Sequence, residues 1–173
     1  MEKIKNPWSA QVTLDDIPET GLHAEIDAPE AVRADLAKLA GLRELPRLSA
    51  VFDLTHRGTG VHVAGQVHAR LGQICVVTLE PIESTLEEAI DLVFAPASGG
   101  AAPAKDLKVD EEPPEPLIDG KIDLGAIATE FLLLGIDPYP RNAGAQFTPV
   151  KADDGRARPF AALEALKKRL GGS

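Results

Sequence analysis

Hydrophobic and polar positions alternate most regularly between Gly60 and Leu71. An alternation of period two predicts a β-strand with one buried face. Apolar residues then run almost without interruption from Ile74 to Leu79, which predicts a second strand covered on both faces. Gly72 would form the bend between the two strands, and Pro81 would end the second because proline has no amide hydrogen to donate.

Shorter strand patterns flank this central stretch. They lie at Trp8 to Leu14, Leu22 to Ile26, Leu48 to Leu54 and Ala89 to Phe94. Residues 83–89 also resemble the start of a helix, so helix and strand remain alternatives there. Trp8 is the only tryptophan of the chain, and we expect it to anchor the core rather than to stack on a nucleic-acid base.

A first helix is predicted soon after Asp27. This residue would be the N-cap, and Glu30 follows it by three positions, as in a capping box. Apolar residues recur at helical spacing from Val32 to Leu39, and Gly41 suits the left-handed position after the last turn. The helix is therefore amphipathic and should pack on a sheet.

A second helix is predicted to begin after Asp123, which would cap it, and to end at Gly135. Most positions between Leu124 and Leu134 are apolar, so this helix should be largely buried. The segment Asp137 to Arg141 follows and contains two prolines, which favour an extended backbone.

Together these patterns predict an α+β fold. We expect a curved, barrel-like antiparallel sheet with strands at Trp8, Leu48, Gly60, Ile74 and Ala89, packed by two or three helices. Residues 1–95 would form the α+β core, and residues 117–150 would complete it with a helix and a Pro-rich segment. Residues 96–116 are acidic and rich in proline and alanine, which predicts a flexible, disordered linker. Residues 151–173 would form a basic C-terminal tail, with a third helix from Phe160 to Leu170.

Charge and composition restrict the class of protein. The net charge of −9 argues against a surface that is evenly basic for nucleic-acid binding, although a local basic patch remains compatible with it. The single cysteine excludes an internal disulfide and fits a reducing cytosol. The N-terminal sequence lacks the apolar stretch of a signal peptide, and no eighteen consecutive residues are apolar. We therefore expect a cytoplasmic protein without a membrane partner.

Candidate catalytic and metal-binding residues are few. His56, His62 and His68 recur at intervals of six, but six residues along a strand span roughly 20 Å, too far for one metal ion unless a turn brings His56 nearer to one of the others. Cys75 lies in an apolar run and should be a small core residue without the surroundings that activate a thiolate. The common nucleophile, phosphate-binding and zinc-protease motifs do not occur. We expect no enzymatic activity, no catalytic residue, no metal and no cofactor.

Three segments in their order resemble a known family. They are GVHVAGQVHARLGQICVVTLEP, LIDGKIDLGAIATEFLLLGIDPYPR and RPFAALEALK. The chain resembles the YceD-like family of large ribosomal RNA subunit accumulation proteins, and more closely its alphaproteobacterial branch, from about Ser49 to the end. The resemblance implies a role in the synthesis, processing or stability of large-subunit ribosomal RNA. Many members of the family carry a CxxC pair before a Leu-Glu-Pro triplet, whereas here Thr78 stands in place of the second cysteine.

These observations predict a non-enzymatic ribosome-biogenesis factor that binds large-subunit ribosomal RNA, a ribosomal protein or a precursor particle. RNA contact would require a basic patch, and a second interpretation of the tail is a helix docked on its own domain. Tyr139 is a candidate for stacking on a base, or else a packed loop anchor. The alternative function is a protein-interaction adaptor, whose acidic surface holds a basic ribosomal protein or assembly factor without RNA contact. The residues of the predicted patch are Arg141, Arg156, Arg158, Lys167, Lys168 and Arg169.

Overall fold

The structure is a computed structural model, and it describes residues 6–96 and 114–146. The described chain is α+β, with seven strands and two helices. In chain order the elements are β1 (Gln11–Thr13), β2 (Leu22–Asp27), α1 (Glu30–Leu39), β3 (Glu44–Arg57), β4 (Gly60–Ile74), β5 (Pro81–Pro96), β6 (Glu115–Leu117), β7 (Lys121–Asp123) and α2 (Leu124–Gly135). A single 3-10 turn, Leu14–Asp16, follows β1. Most of the predicted linker and the whole basic tail with its third helix lie outside the described residues.

Five strands form the main sheet in the order β2-β3-β4-β5-β6. The first four are antiparallel neighbours, and β6 runs parallel to the end of β5. Strands β3 and β4 form a long hairpin in which Arg57 faces Gly60 across a two-residue turn, and Gly58 has a φ of +63°. The predicted barrel-like closure is wrong, because β2 and β6 lie at opposite ends of an open sheet and do not pair.

The apolar run after β4 is not a strand, which corrects a second prediction. Strand β4 continues through Gly72 to Ile74, and the chain then turns, with Leu79 N–H donating to the Cys75 carbonyl at 2.9 Å. The apolar run had predicted a buried strand, but Val76 and Leu79 are not covered by other parts of the described chain: they are 44% and 75% exposed. We call residues 75–80 the Cys75 turn.

Strand β5 begins at Pro81, so the helix alternative for residues 83–89 is wrong. Its register with β4 runs without a shift from Val61 opposite Phe94 to Ile74 opposite Pro81. Pairing with a full-length neighbour therefore overrides the local helix-start pattern.

The segment after Trp8 contributes to a different sheet from the one predicted. Strand β1 pairs with β7 in a separate two-stranded sheet, with Val12 opposite Ile122. Trp8 itself is 5% exposed and belongs to the hydrophobic core. The prediction that it anchors the core is confirmed, whereas its assignment to the main sheet is wrong.

The two helices differ in how they begin. Asp27 does not cap α1: it is the last residue of β2, paired with Ser49, and the N-cap is Pro29, without a side-chain hydrogen bond. The predicted capping box is therefore wrong, although Gly41 has the predicted positive φ of 66°. Asp123 caps α2 as predicted, because its carboxylate accepts a hydrogen bond from Ala126 N–H at 3.1 Å.

The main sheet has a packed face and an open face. Helix α1 contacts β3, and α2 contacts β4 and β5. The core of the packed face includes Phe52, Val63 and Val67, each 0% exposed. Gly65 faces Phe52 across the hairpin, and a Cβ there would lie 2.4 Å from the Val51 carbonyl oxygen, so close packing requires glycine at this position. Neither described helix is long and apolar enough to span a membrane.

Candidate interaction surfaces

A Pro-rich segment that follows α2 contains the two predicted site residues that the structure describes. Its backbone is fixed against the end of β4, because Val76 N–H donates to the Pro140 carbonyl at 2.9 Å. The Gln73 side chain donates to the Asp137 carbonyl at 3.0 Å. Tyr139 is nevertheless 70% exposed, so its interpretation as a packed anchor is wrong, and base stacking stays a prediction. Arg141 is also exposed.

The other five predicted site residues lie outside the described residues. They are Arg156, Arg158, Lys167, Lys168 and Arg169. Of the predicted site residues the structure therefore describes only Tyr139 and Arg141, and the basic patch stays a prediction.

The prediction that Cys75 is a small buried residue is confirmed, but the predictions that it lies in a strand and lacks surroundings that stabilise a thiolate are wrong. The side chain is fully buried at the start of the Cys75 turn. Its Sγ accepts hydrogen bonds from the backbone N–H of Asn142 at 3.3 Å and of Thr78 at 3.4 Å. Hydrogen bonds from the Thr78 side chain first, and then from backbone N–H groups of Asn142, Thr78 and Val77, lower the pKa of Cys75 to about 7, against the opposing effect of burial.

Thr78 thus has a definite role in the Cys75 turn. It supplies both its backbone N–H and its side chain to the Cys75 thiol. The sequence alone did not reveal this, because a threonine three residues after a cysteine is a common pattern without a fixed geometry.

Exposed apolar side chains surround the Cys75 turn. Ile74 and Val76 are each 44% exposed, and Leu79 is 75% exposed with a φ of +60°. A non-glycine residue with positive φ is strained, and such strain persists where the surrounding structure enforces it. The sequence pattern had assigned these apolar side chains to the interior, whereas the structure leaves them exposed.

Histidines on the open face of the main sheet each face a carboxylate. Nδ1 of His23 lies 2.7 Å from Asp53, and Nε2 of His62 lies 2.7 Å from Asp91. The hydrogen bond to Asp53 and a weaker one to Glu25 raise the pKa of His23 above its usual 6.5. These histidines lie in separate pairs, and within residues 6–96 and 114–146 no three His, Cys, Asp or Glu side chains converge as ligands for a metal ion.

A row of carboxylates follows β5 on the same open face. The side chains of Glu83, Glu87 and Asp91 are 68%, 70% and 82% exposed. Their spacing of four residues places them on one face of a strand, but the same spacing also fits one face of a helix. The sequence pattern therefore did not identify the row, because the conformation of residues 83–89 was ambiguous.

The comparisons with known proteins give one match. A family described as "Large ribosomal RNA subunit accumulation protein YceD" matches residues 63–167. The match is to the family as a whole and carries no assignment to an alphaproteobacterial branch. Neither the curated proteins nor the solved structures contain a match to this chain.

Proposed function

The chain belongs to the YceD family of large ribosomal RNA subunit accumulation proteins, and we propose that it is a non-enzymatic ribosome-biogenesis factor. In this proposal it supports the synthesis, processing or stability of large-subunit ribosomal RNA by binding that RNA or a precursor particle in the cytoplasm. The family match is the observation that carries the proposal. It includes most of β4, all of β5 and α2, and most of the basic tail.

The charge distribution restricts how such a protein would contact RNA. Acidic residues clearly outnumber basic ones in the described part of the chain, and phosphates are repelled by such a surface. We therefore assign RNA contact to Arg141 and the five basic residues of the tail. Tyr139 would add stacking, because it is exposed two residues before Arg141 and its backbone N–H donates to the Asp137 carboxylate at 2.8 Å.

The first experiment is a pull-down of the tagged full-length protein from lysate, with and without ribonuclease. Direct RNA contact predicts that large-subunit RNA is recovered and that ribosomal proteins disappear after ribonuclease treatment. Recovery of neither RNA nor ribosomal protein would contradict the proposed function.

A charge variant tests the RNA contact itself. Replacing Lys167, Lys168 and Arg169 with alanine should weaken RNA binding and reduce its dependence on salt, because fewer counterions are released. A matched variant that replaces Lys38, Arg57 and Lys121 removes the same charge from other segments and should keep the original salt dependence. Equal effects of the two variants would mean that overall charge, and not the tail, determines binding.

A second candidate function is an adaptor that holds a basic ribosomal protein or assembly factor without touching RNA. The carboxylate row Glu83, Glu87 and Asp91 favours it, because three exposed acids along one strand complement lysine and arginine side chains. The same pull-down separates the two functions, since an adaptor retains its basic partner after ribonuclease treatment.

A further inference from the structure

We propose that the outer edge of β5 binds an extended, Lys- and Arg-rich protein segment by strand addition. The inference rests on the adaptor form of the proposed function, and it names the site and the chemistry of the partner. Within the described residues, β6 pairs with β5 only at Phe94–Pro96. No described strand lies against the outer edge between Ile82 and Val93.

The register of β4 and β5 shows which backbone groups face this edge. Cys75 N–H donates to the Glu80 carbonyl at 2.9 Å, so these two residues form a hydrogen-bonded pair. Hydrogen-bonded and non-hydrogen-bonded pairs alternate along an antiparallel ladder, and the register with β4 has no shift. The odd-numbered residues of β5 therefore direct their N–H and C=O groups away from β4. These residues are Glu83, Thr85, Glu87, Ala89, Asp91 and Val93.

The same odd-numbered residues carry the carboxylate row. Backbone direction and side-chain face both alternate with period two along a strand, so each outward amide belongs to a residue whose side chain lies on the open face. Glu83, Glu87 and Asp91 thus flank the backbone groups that point away from β4. The β4 side chains facing them provide one permanent charge, since Arg70 contacts Glu83 at 3.4 Å, whereas Glu87 and Asp91 face His68 and His62.

Charge selects the partner among those that could occupy an open edge. A second copy of β5 would bring the same carboxylates close to one another, and like charges across strands are destabilising. RNA offers no backbone amides for a ladder and would bring phosphates to the acids. An extended protein segment with alternating basic residues satisfies both features, because its main chain pairs with β5 and its cations meet the row.

The test uses the full-length protein and a synthetic peptide of about ten residues in which lysine alternates with valine. We expect binding to protect the odd-numbered β5 amides from hydrogen exchange, as measured residue by residue by NMR. A peptide of the same sequence with N-methylated alternate amides keeps the charge but cannot pair, and it should bind roughly tenfold more weakly. Equal binding of the two peptides would overturn the proposal.

Variants of the protein test the acidic row separately. The triple variant Glu83→Gln, Glu87→Gln, Asp91→Asn should weaken peptide binding roughly tenfold. The control Asp15→Asn, Glu19→Gln, Glu130→Gln removes equal charge from exposed positions elsewhere, and binding should stay within about twofold. Equal weakening by both would overturn the proposal, as would protection of the β5 edge amides in the free protein, which would mean that the chain itself covers the edge.

The peptide experiment and the pull-down together distinguish an error in the β5 edge proposal from an error in the proposed ribosomal function. If the pull-down recovers large-subunit RNA or a ribosomal protein but the peptide does not protect β5, the edge assignment is wrong and the proposed function stands. If the peptide binds as expected but the pull-down recovers neither, the edge is a strand-binding site and the ribosomal function is wrong.

Discussion

The two faces of the main sheet are built from the same strands but have opposite chemistry. On the packed face, Phe52 and Val63 are 0% exposed and lie in one hydrophobic core with the helices. On the open face, the alternate residues of the same strands include His23 paired with Asp53 and the exposed acids of β5. Alternate side chains of one strand thus pack in the hydrophobic core on one face and present charged groups to solvent on the other.

This difference indicates which residues can change to suit a binding partner without loss of stability. A substitution on the packed face changes the volume of a close-packed core, and the whole fold responds. The open face makes few contacts that the fold needs, so its charges can suit a partner at little cost in stability. The comparison predicts large losses of stability from packed-face variants and nearly none from open-face variants.

The largest effect should come from Phe52→Ala. We expect the free energy of unfolding to fall by about 3–5 kcal/mol, because a fully buried aromatic ring is removed and a cavity is left. Urea denaturation followed by circular dichroism measures this change. The neighbouring variant Val51→Ala lies on the open face and should cost about 1 kcal/mol or less. Similar losses for both variants would contradict the distinction between the faces.

A smaller loss of stability should follow from removing the side chain that caps α2. The Asp123 carboxylate accepts hydrogen bonds from the Ser9 hydroxyl at 2.6 Å, Ala10 N–H at 2.9 Å and Ala126 N–H at 3.1 Å. Asp123→Ala should therefore lower the free energy of unfolding by about 1–2 kcal/mol. Asp123→Asn keeps an acceptor oxygen and should recover most of this loss in the same denaturation experiment. An equal loss in both variants would mean that the negative charge near the helix N-terminus matters more than the hydrogen bonds.

The packed face could be predicted from the sequence to a large extent, because alternation in β4 and helical spacing in α2 are local patterns. The cap of α2 at Asp123 was also predictable. The turn at Cys75 was not, because an apolar run such as Ile74 to Leu79 does not reveal whether other elements cover it. The edge of β5 could not be predicted either, since it depends on which strands pair across the whole chain.

The Cys75 turn provides a prediction about chemistry rather than folding. Thr78→Val removes the side-chain donor to Cys75, so the pKa of Cys75 should rise from about 7 towards its ordinary value of 9.0. Thiolate ultraviolet absorbance across a pH titration measures this midpoint, and Cys75→Ser provides the background. An unchanged midpoint would mean that the backbone N–H groups of Asn142 and Thr78 are sufficient.

The lowered pKa of Cys75 also makes the stability of the protein depend on pH. Because folding lowers the pKa of Cys75, its contribution is present above about pH 9 and is lost as the pH falls through about 7. The difference in unfolding free energy between the wild type and Cys75→Ser should therefore shrink as the pH is lowered across this range. A difference that does not change with pH would contradict the lowered pKa.

The smallest effect belongs to the open face. Folding raises the pKa of His23 above 6.5, chiefly through the hydrogen bond to Asp53. The folded protein therefore binds the proton of His23 more tightly than the unfolded chain does. The stabilisation is fully present below the unfolded pKa and is lost as the pH rises through the folded pKa. The wild type should therefore exceed His23→Gln in melting temperature slightly more at about pH 5.5 than at about pH 8. NMR titration of the ring measures the cause directly: the midpoint should fall in Asp53→Asn, whereas Asp27→Asn, on the same face, should leave it unchanged. A midpoint that responds equally to both substitutions would mean that the general negative potential of the open face, and not the 2.7 Å contact with Asp53, holds the proton.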